Sequence, residues 1–122
     1  MYTGEKGMER SDMLELARET RKKIRKVFTD KVETITAYDI DDEPDHRTFK
    51  LNFAAYNYVW VEFDYENDWC EFFIVLNEAC KQTICNRTKF SEITDWDAYL
   101  TEIMKEIELR IPEKYLKAKG WL

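Results

Sequence analysis

The chain has 122 residues, of which 44% are hydrophobic, 15% aromatic and 36% charged, and its net charge is −6. This length and composition predict one folded domain and exclude an intrinsically disordered chain. The sequence has no run of about eighteen apolar residues, the length that a membrane helix needs, so we expect a cytoplasmic protein with no membrane partner.

The first predicted elements are a flexible leader over residues 1–10 and a helix that opens a single domain over residues 11–122. The helix begins at Ser11 or Asp12 and continues to Phe28. Its apolar face is indicated by residues at helical spacing, namely Met13, Leu16, Ala17, Thr20, Ile24, Val27 and Phe28. Between Ser11 and Phe28 the helix carries six basic and three acidic residues.

After the helix, the pattern changes to the alternation that is typical of strands. Strands are predicted over residues 32–40, 49–53 and 56–65, and residues 41–45 are predicted as a loop because they are charged and contain a proline. At residues 54–55 the sequence allows either a bulge within one bent strand or a connection between two strands.

The second half of the chain contains one more clear strand and two helices. Residues 66–68 predict a turn and residues 69–76 a strand, whereas residues 77–90 are ambiguous, with a short edge strand possible at 83–85. A long helix is expected after a cap at Thr94, and a short one follows Pro112 and ends at Gly120. The prediction is an α+β fold, with a mainly antiparallel sheet of three to five strands packed against an N-terminal helix and a C-terminal helix.

The predicted core consists of residues on the apolar face of each predicted helix or strand. It comprises Met13, Leu16, Ile24, Val27, Phe28, Leu51, Phe53, Val61, Phe63, Ile74, Leu76, Leu100, Ile103 and Ile107.

Charge is unevenly distributed along the sequence. Residues 33–71 contain eleven acidic and two basic residues, a net charge of −9, so the rest of the chain sums to +3. An acidic sheet region beside a basic helix would steer a charged partner, although acidic loops also serve only to keep a small protein in solution.

An aromatic row accompanies these acids. Tyr56, Tyr58 and Trp60 alternate along one predicted strand whose other face is already apolar. Exposed Tyr and Trp beside charged residues are typical of interface hot spots, but the same rings could pack beneath the helices.

Motifs for catalysis, metals or cofactors are weak. His46 has no nucleophile near it in sequence, and Cys80 and Cys85 lack the spacing of a zinc site, so we expect reduced, buried thiols and a surface histidine. Glu62 and Asp64 share a strand face as the carboxylates of a hydrolase do, but alternation often produces such pairs. With three glycines the chain has no phosphate-binding loop, and its net charge disfavours direct nucleic-acid binding. We expect no enzyme activity, no catalytic residue, no metal and no cofactor.

An acidic α+β chain with an aromatic-rich sheet resembles the immunity proteins of bacterial polymorphic and contact-dependent growth inhibition toxin systems. Residues 110–121, RIPEKYLKAKGW, are similar to the C-terminal ends of several such proteins. The resemblance implies a non-enzymatic inhibitor that binds and neutralises one toxin domain. Many such toxins are nucleases with basic clefts, which an acidic inhibitor would fit.

The leading hypothesis is therefore an immunity-type inhibitor whose acidic surface binds a basic cognate toxin domain. The predicted partner-binding residues are Asp39, Asp41, Asp42, Glu43, Asp45, Tyr58, Trp60, Glu62, Asp64, Glu66 and Asp68. One alternative is a small-molecule-binding or regulatory domain with a pocket between helices and sheet, lined by Tyr58, Trp60 and Phe73. Another is a phosphate-mimicking antagonist of nucleic-acid machinery.

Overall fold

The computed structural model describes residues 12–122 and has the predicted α+β architecture, with helices packed on one face of an antiparallel sheet. The predicted leader, residues 1–10, and Ser11 lie outside the described residues. The helices are α1 (Asp12–Phe28), α2 (Trp96–Glu108) and α3 (Glu113–Ala118), and short 3-10 turns occupy Thr29–Lys31 and Phe90–Glu92. The strands are β1 (Thr36–Glu43), β2 (His46–Ala55), β3 (Val59–Glu66), β4 (Trp69–Asn77), β5 (Cys80–Thr83) and β6 (Thr88–Lys89).

The sheet is a meander in which neighbours in sequence are neighbours in space. Its order is β1-β2-β3-β4-β5, and β6 pairs with β4 beyond the end of β5. Tight turns join β2 to β3 and β3 to β4. Each contains two consecutive residues with positive φ, Tyr56 and Asn57 in the first turn and Asn67 and Asp68 in the second. Paired positive φ values match the right-handed twist of the flanking strands, so these turns fix the strand register. The result places β3 in the middle of the sheet.

Both long helices bury one stripe of side chains against the sheet. In α1 the buried residues recur every three or four positions, namely Met13, Ala17, Thr20, Ile24 and Phe28. In α2 the buried positions are Leu100, Ile103 and Ile107. Asp95, rather than the predicted Thr94, caps α2, because its side chain accepts a hydrogen bond from the Ala98 backbone N–H.

Aromatic rings fill the space between helices and sheet. Phe63 lies 5.9 Å from Phe49 and 4.8 Å from Phe72 between ring centroids, and Phe53 meets Phe28 of α1 edge-on at 5.8 Å. All five rings are fully buried. Such contacts add to the hydrophobic stabilisation that comes from area alone.

The core prediction is mostly confirmed, with Leu76 wrong. Leu76 is 58% exposed, because β4 has a register shift against β5 between Val75 and Asn77 that interrupts the alternation. Leu16 and Val27 are half-buried at the margin of the core.

The predicted acidic loop over residues 41–45 is wrong in part. Residues 41–43 belong to β1, pair with residues 46–48 of β2, and leave only Pro44 and Asp45 as the turn. An edge strand with solvent on its outer side tolerates charged side chains, which is why charge did not end this strand. The strand also begins later than predicted, at Thr36, and Val32 contributes only an isolated bridge to Ala55.

Residues 54–55 end one strand and do not form a bulge. The chain turns at Tyr56, which is fully buried, so it does not share a face with Tyr58 and Trp60. Its backbone N–H donates to the Lys31 carbonyl at 2.7 Å, and its hydroxyl donates to the Glu108 carboxylate. These contacts hold a bulky residue in the left-handed region, which sequence pattern alone does not predict.

Residues 77–90 form the edge of the sheet. The edge strand is Cys80–Thr83, three residues earlier than the possibility at 83–85, and a second short strand follows at Thr88–Lys89. Within the described part of the chain, no helix combines the length and hydropathy needed to cross a membrane.

Candidate functional site

The face of the sheet opposite the helices carries the polar and aromatic side chains of the predicted site; we call it the open face. Strand alternation and register define its residues. They are Tyr38 and Asp41 on β1, Lys50 and Asn52 on β2, Trp60, Glu62, Asp64 and Glu66 on β3, Trp69, Glu71, Phe73 and Val75 on β4, and Lys81 and Thr83 on β5.

A pair of carboxylates lies at the centre of the open face. Glu62 and Asp64 are two residues apart on β3, and the Lys81 ammonium reaches both, 2.6 Å from Glu62 Oε2 and 3.0 Å from Asp64 Oδ2. The Tyr38 hydroxyl donates to Glu62 Oε1 at 3.0 Å. The Glu62 side chain is 11% exposed and that of Asp64 24%, so both charges are partly removed from water.

The two carboxyl groups have shifted pKa values of opposite sign. Burial raises the pKa of Asp64 to about 7, with the neighbouring Glu62 carboxylate adding to the effect. Burial also acts to raise the pKa of Glu62, but hydrogen bonds with Asp64, Lys81 and Tyr38 outweigh it and lower that pKa to about 2. The pair therefore favours one negative charge, on Glu62, below about pH 7 and a second one, on Asp64, above it.

Cations border this pair along the edge of the sheet. The Lys81 ammonium lies 4.2 Å from the ring centroid of Phe73, while Arg87 and Lys89 lie 4.9 and 5.4 Å from that of Trp69. Each cation is held by a ring face in addition to any carboxylate nearby. The open face thus has an acidic row on β3 and a basic border on β5 and β6.

Two exposed aromatic side chains, Tyr58 and Trp60, lie at the end of the sheet near the β2–β3 turn. Trp60 is 56% exposed and lies opposite Val75, and Tyr58 in the adjacent turn packs against the Tyr115 ring at 4.7 Å. Tyr58 is thereby tied to α3 and lies beside the open face, whereas Trp60 lies on it.

The other end of the open face is an acidic groove of about 490 Å³ with Ile40 among its lining residues. Asp39, in a bulge of β1 with φ of +53°, lies 3.6 Å from the Lys50 ammonium. Asp41 Oδ2 lies 3.0 Å from His46 Nδ1. The Glu43 backbone N–H and then His46 lower the pKa of Asp41, and the bond to Asp41 raises the pKa of His46.

Four of the predicted acids lie outside the centre of the open face. Asp42 Oδ1 accepts a hydrogen bond from the Met13 backbone N–H at 2.9 Å, so it anchors the start of α1 on the helical side. Asp68 accepts hydrogen bonds from the backbone N–H and hydroxyl of Ser91 and so ties down a turn. Glu43 and Asp45 are exposed at the β1–β2 turn.

The residues of the alternative pocket do not lie between the helices and the sheet. Trp60 and Phe73 project from the open face, and Tyr58 lies in a turn. The predicted position of this pocket was wrong, because the face of β3 that packs against the helices carries Val61 and Phe63, not Trp60.

The three cysteines are free thiols in different surroundings. Cys70 is buried, which raises the pKa of its thiol to about 12, and Cys85 is half-buried. Cys80 is exposed, contrary to the expectation of buried thiols, because it begins the edge strand β5. Across residues 12–122, no group of three or more His, Cys, Asp or Glu side chains is arranged to hold a metal ion.

Sequence reasoning missed the residues that contact the carboxylate pair from other strands. Lys81 comes from the segment that sequence left ambiguous, and Tyr38 from a strand whose register was not defined. Local pattern gives no signal for this strand, since Lys81, Gln82 and Thr83 are consecutive polar residues and all of Cys80–Thr83 is exposed.

Comparison of the chain with family models, with curated proteins and with solved structures finds no match to any of them.

Proposed function

We propose that the protein is a non-enzymatic, immunity-type inhibitor that binds a basic toxin domain through the open face. The observation that carries this proposal is the exposure of Trp60, at 56%, in the same row as Glu62, Asp64 and Glu66. A large exposed ring beside a row of charged side chains is the composition of a protein-binding hot spot with its polar surround.

The layout of charge supports a basic partner. Acids on β3 are continuous with the acidic groove lined by Asp39, Asp41 and Glu66, so the negative field extends along the face. Charges of this kind raise the rate of association with an oppositely charged protein more than they raise final affinity. The nucleases among toxin domains have basic surfaces that would benefit from such steering.

The cations along the edge of the open face support binding of a defined partner over non-specific attraction. Lys81 already neutralises part of the charge of Glu62 and Asp64, so a cation from the partner must compete with it. Competition of this kind penalises partners whose cations are wrongly placed. The Trp60 ring, which has no such internal cation within the described contacts, provides apolar area as an anchor.

The partner-binding test takes as its candidate partner a toxin domain encoded by a neighbouring gene and measures association kinetics at two salt concentrations. A triple variant, Glu43→Gln/Asp45→Asn/Glu66→Gln, removes three exposed charges, one at the acidic end of the open face and two at the adjoining β1–β2 turn. Their side chains make no hydrogen bond within residues 12–122. We expect its association rate at low salt to fall about tenfold, and the difference to shrink at high salt because salt screens exposed charges.

The matched control is Lys22→Ala/Arg25→Ala on the exposed side of α1, far from the open face in the fold. It should bind as the wild type does. Trp60→Ala should mainly accelerate dissociation, at a cost of about 2 kcal/mol in affinity. Normal binding by the acidic variant together with failure of the α1 variant would assign the interface to the helical side and contradict the proposal.

A further inference from the structure

The carboxylate pair at the centre of the open face has one unsatisfied oxygen. Asp64 Oδ1 is buried and accepts no hydrogen bond from a donor within residues 12–122. Leaving a charged oxygen in that state costs free energy, because burial removes the water that would otherwise solvate it. Glu62 and Asp64 lie close together, because the same Lys81 ammonium contacts both carboxylates at 2.6 and 3.0 Å.

The strands around Asp64 do not supply a second cation for the pair. Lys50 lies directly across on β2 but is ion-paired with Asp39 at 3.6 Å. Glu71 lies across on β4 and accepts the Thr83 hydroxyl at 2.6 Å, so it adds negative charge.

Around Glu62 the neighbours are Asn52, Phe73 and the Tyr38 hydroxyl. Beyond Asp64, the next acid along β3 is Glu66. Arg87 lines a groove with Asp64 and Glu71, but its guanidinium lies over the Trp69 ring at 4.9 Å. Among residues 12–122, Lys81 is the cation that is ion-paired with both carboxylates.

A proton between the two carboxyl groups would satisfy this geometry. If Asp64 is protonated, its O–H donates to Glu62 and the buried oxygen is no longer unsatisfied. The single negative charge that remains is balanced by Lys81. The raised pKa of Asp64, caused mainly by its burial, agrees with this arrangement.

We propose that Glu62 and Asp64 share one proton in the free protein, and that a lysine or arginine side chain of the basic partner displaces this proton to the buffer on binding. The inference rests on the proposed function, since it concerns the regulation of the same open face. Its consequence is that association releases one proton and becomes weaker as pH falls.

The size of the effect follows from linkage. With a transition near pH 7 in the free protein, release of one proton makes the dissociation constant about tenfold larger at pH 6 than at pH 8. Asp64→Asn removes the titrating group and should abolish most of this difference. Glu66→Gln, on the same strand face but without a Lys81 contact, should retain it.

The first measurement needs no partner. Carbon-detected NMR of the side-chain carboxyl groups between pH 4 and pH 9 should show a transition near pH 7 at Asp64, with a coupled shift at Glu62. A transition at Asp64 below about pH 5, the range of an ordinary carboxyl group, would overturn the proposal while leaving the acidic binding face untouched.

The second measurement uses a fluorescent nona-arginine peptide as the cationic probe and records its anisotropy at pH 6 and pH 8. Tenfold weaker binding at pH 6 that is lost in Asp64→Asn and kept in Glu66→Gln supports the proposal. An equal pH dependence in Asp64→Asn assigns the proton to another group, such as His46, and overturns it. The proposed function has a separate test. It is contradicted if the triple acidic variant binds the toxin domain as the wild type does.

Discussion

The two faces of β3 show how one strand serves the fold and the candidate site at the same time. Val61 and Phe63 are fully buried beneath the helices, whereas Trp60 and Asp64, one residue away, face the opposite side. Because side chains alternate along a strand, the residues that stabilise the core and those available to a partner are separated by a single position. Substitutions on the two faces should therefore have different consequences.

The largest expected difference in stability is between a substitution on the buried face of β3 and one on its open face. Phe63→Ala should lower the free energy of unfolding by about 3–5 kcal/mol, because it leaves a cavity between Phe49 and Phe72. Trp60→Ala should change it by less than about 1 kcal/mol, since more than half of that side chain is in water. Urea unfolding of both variants measures the contrast, and similar losses would show that the open face is also structural.

A second prediction compares two lysines that form ion pairs in different surroundings. Lys81→Ala should destabilise the protein by about 1–3 kcal/mol at pH 8, because it leaves two partly buried carboxyl groups without their cation. Lys26→Ala removes an exposed pair with Asp97, whose side chains are 72% and 61% in solvent, and should cost less than about 0.5 kcal/mol. Equal losses in thermal or urea unfolding would contradict the distinction.

A smaller effect should appear when the stability of Asp64→Asn is followed with pH. The pKa of Asp64 is raised in the folded protein, so its contribution to stability is present below its unfolded pKa near 4 and is lost as pH rises through about 7. Asparagine stays neutral, so the variant should gain about 1–2 kcal/mol over wild type at pH 8 and little at pH 5.

The control for this pH dependence is Glu66→Gln, which should change stability by less than about 0.5 kcal/mol at either pH. A gain for Asp64→Asn that is equal at pH 5 and pH 8 would show that the effect does not come from titration of Asp64.

The architecture was predictable because it depends on local period. The apolar stripes of α1 and α2 and the alternation of β2, β3 and β4 are each visible in short windows of sequence. The errors occur where tertiary contacts override local pattern. The acids at residues 41–43 extend an edge strand, and Tyr56 turns the chain because its hydroxyl and backbone are bonded to distant residues.

The sequence predicts which residues of β3 belong to the candidate site, but it does not predict which residues of other strands contact them. Trp60, Glu62, Asp64 and Glu66 follow from alternation alone. The contact of Lys81 with two of them depends on how β5 folds back on β4, and the placement of Asp42 depends on where α1 begins. Neither contact can be read from a short stretch of sequence. Counting charges along the sequence therefore grouped acidic residues that lie apart in the fold.

The edges of the sheet determine the direction from which another protein can approach. β1 ends the sheet with a bulge at Asp39 and a row of acids, and on the opposite side the outer edge of β4 is covered by β5 and β6. A bulged, charged strand and a four-residue strand carrying a lysine are poor templates for strand addition. Self-association by backbone pairing, the usual hazard of an antiparallel sheet, is thereby discouraged, and recognition is left to the side chains of the open face.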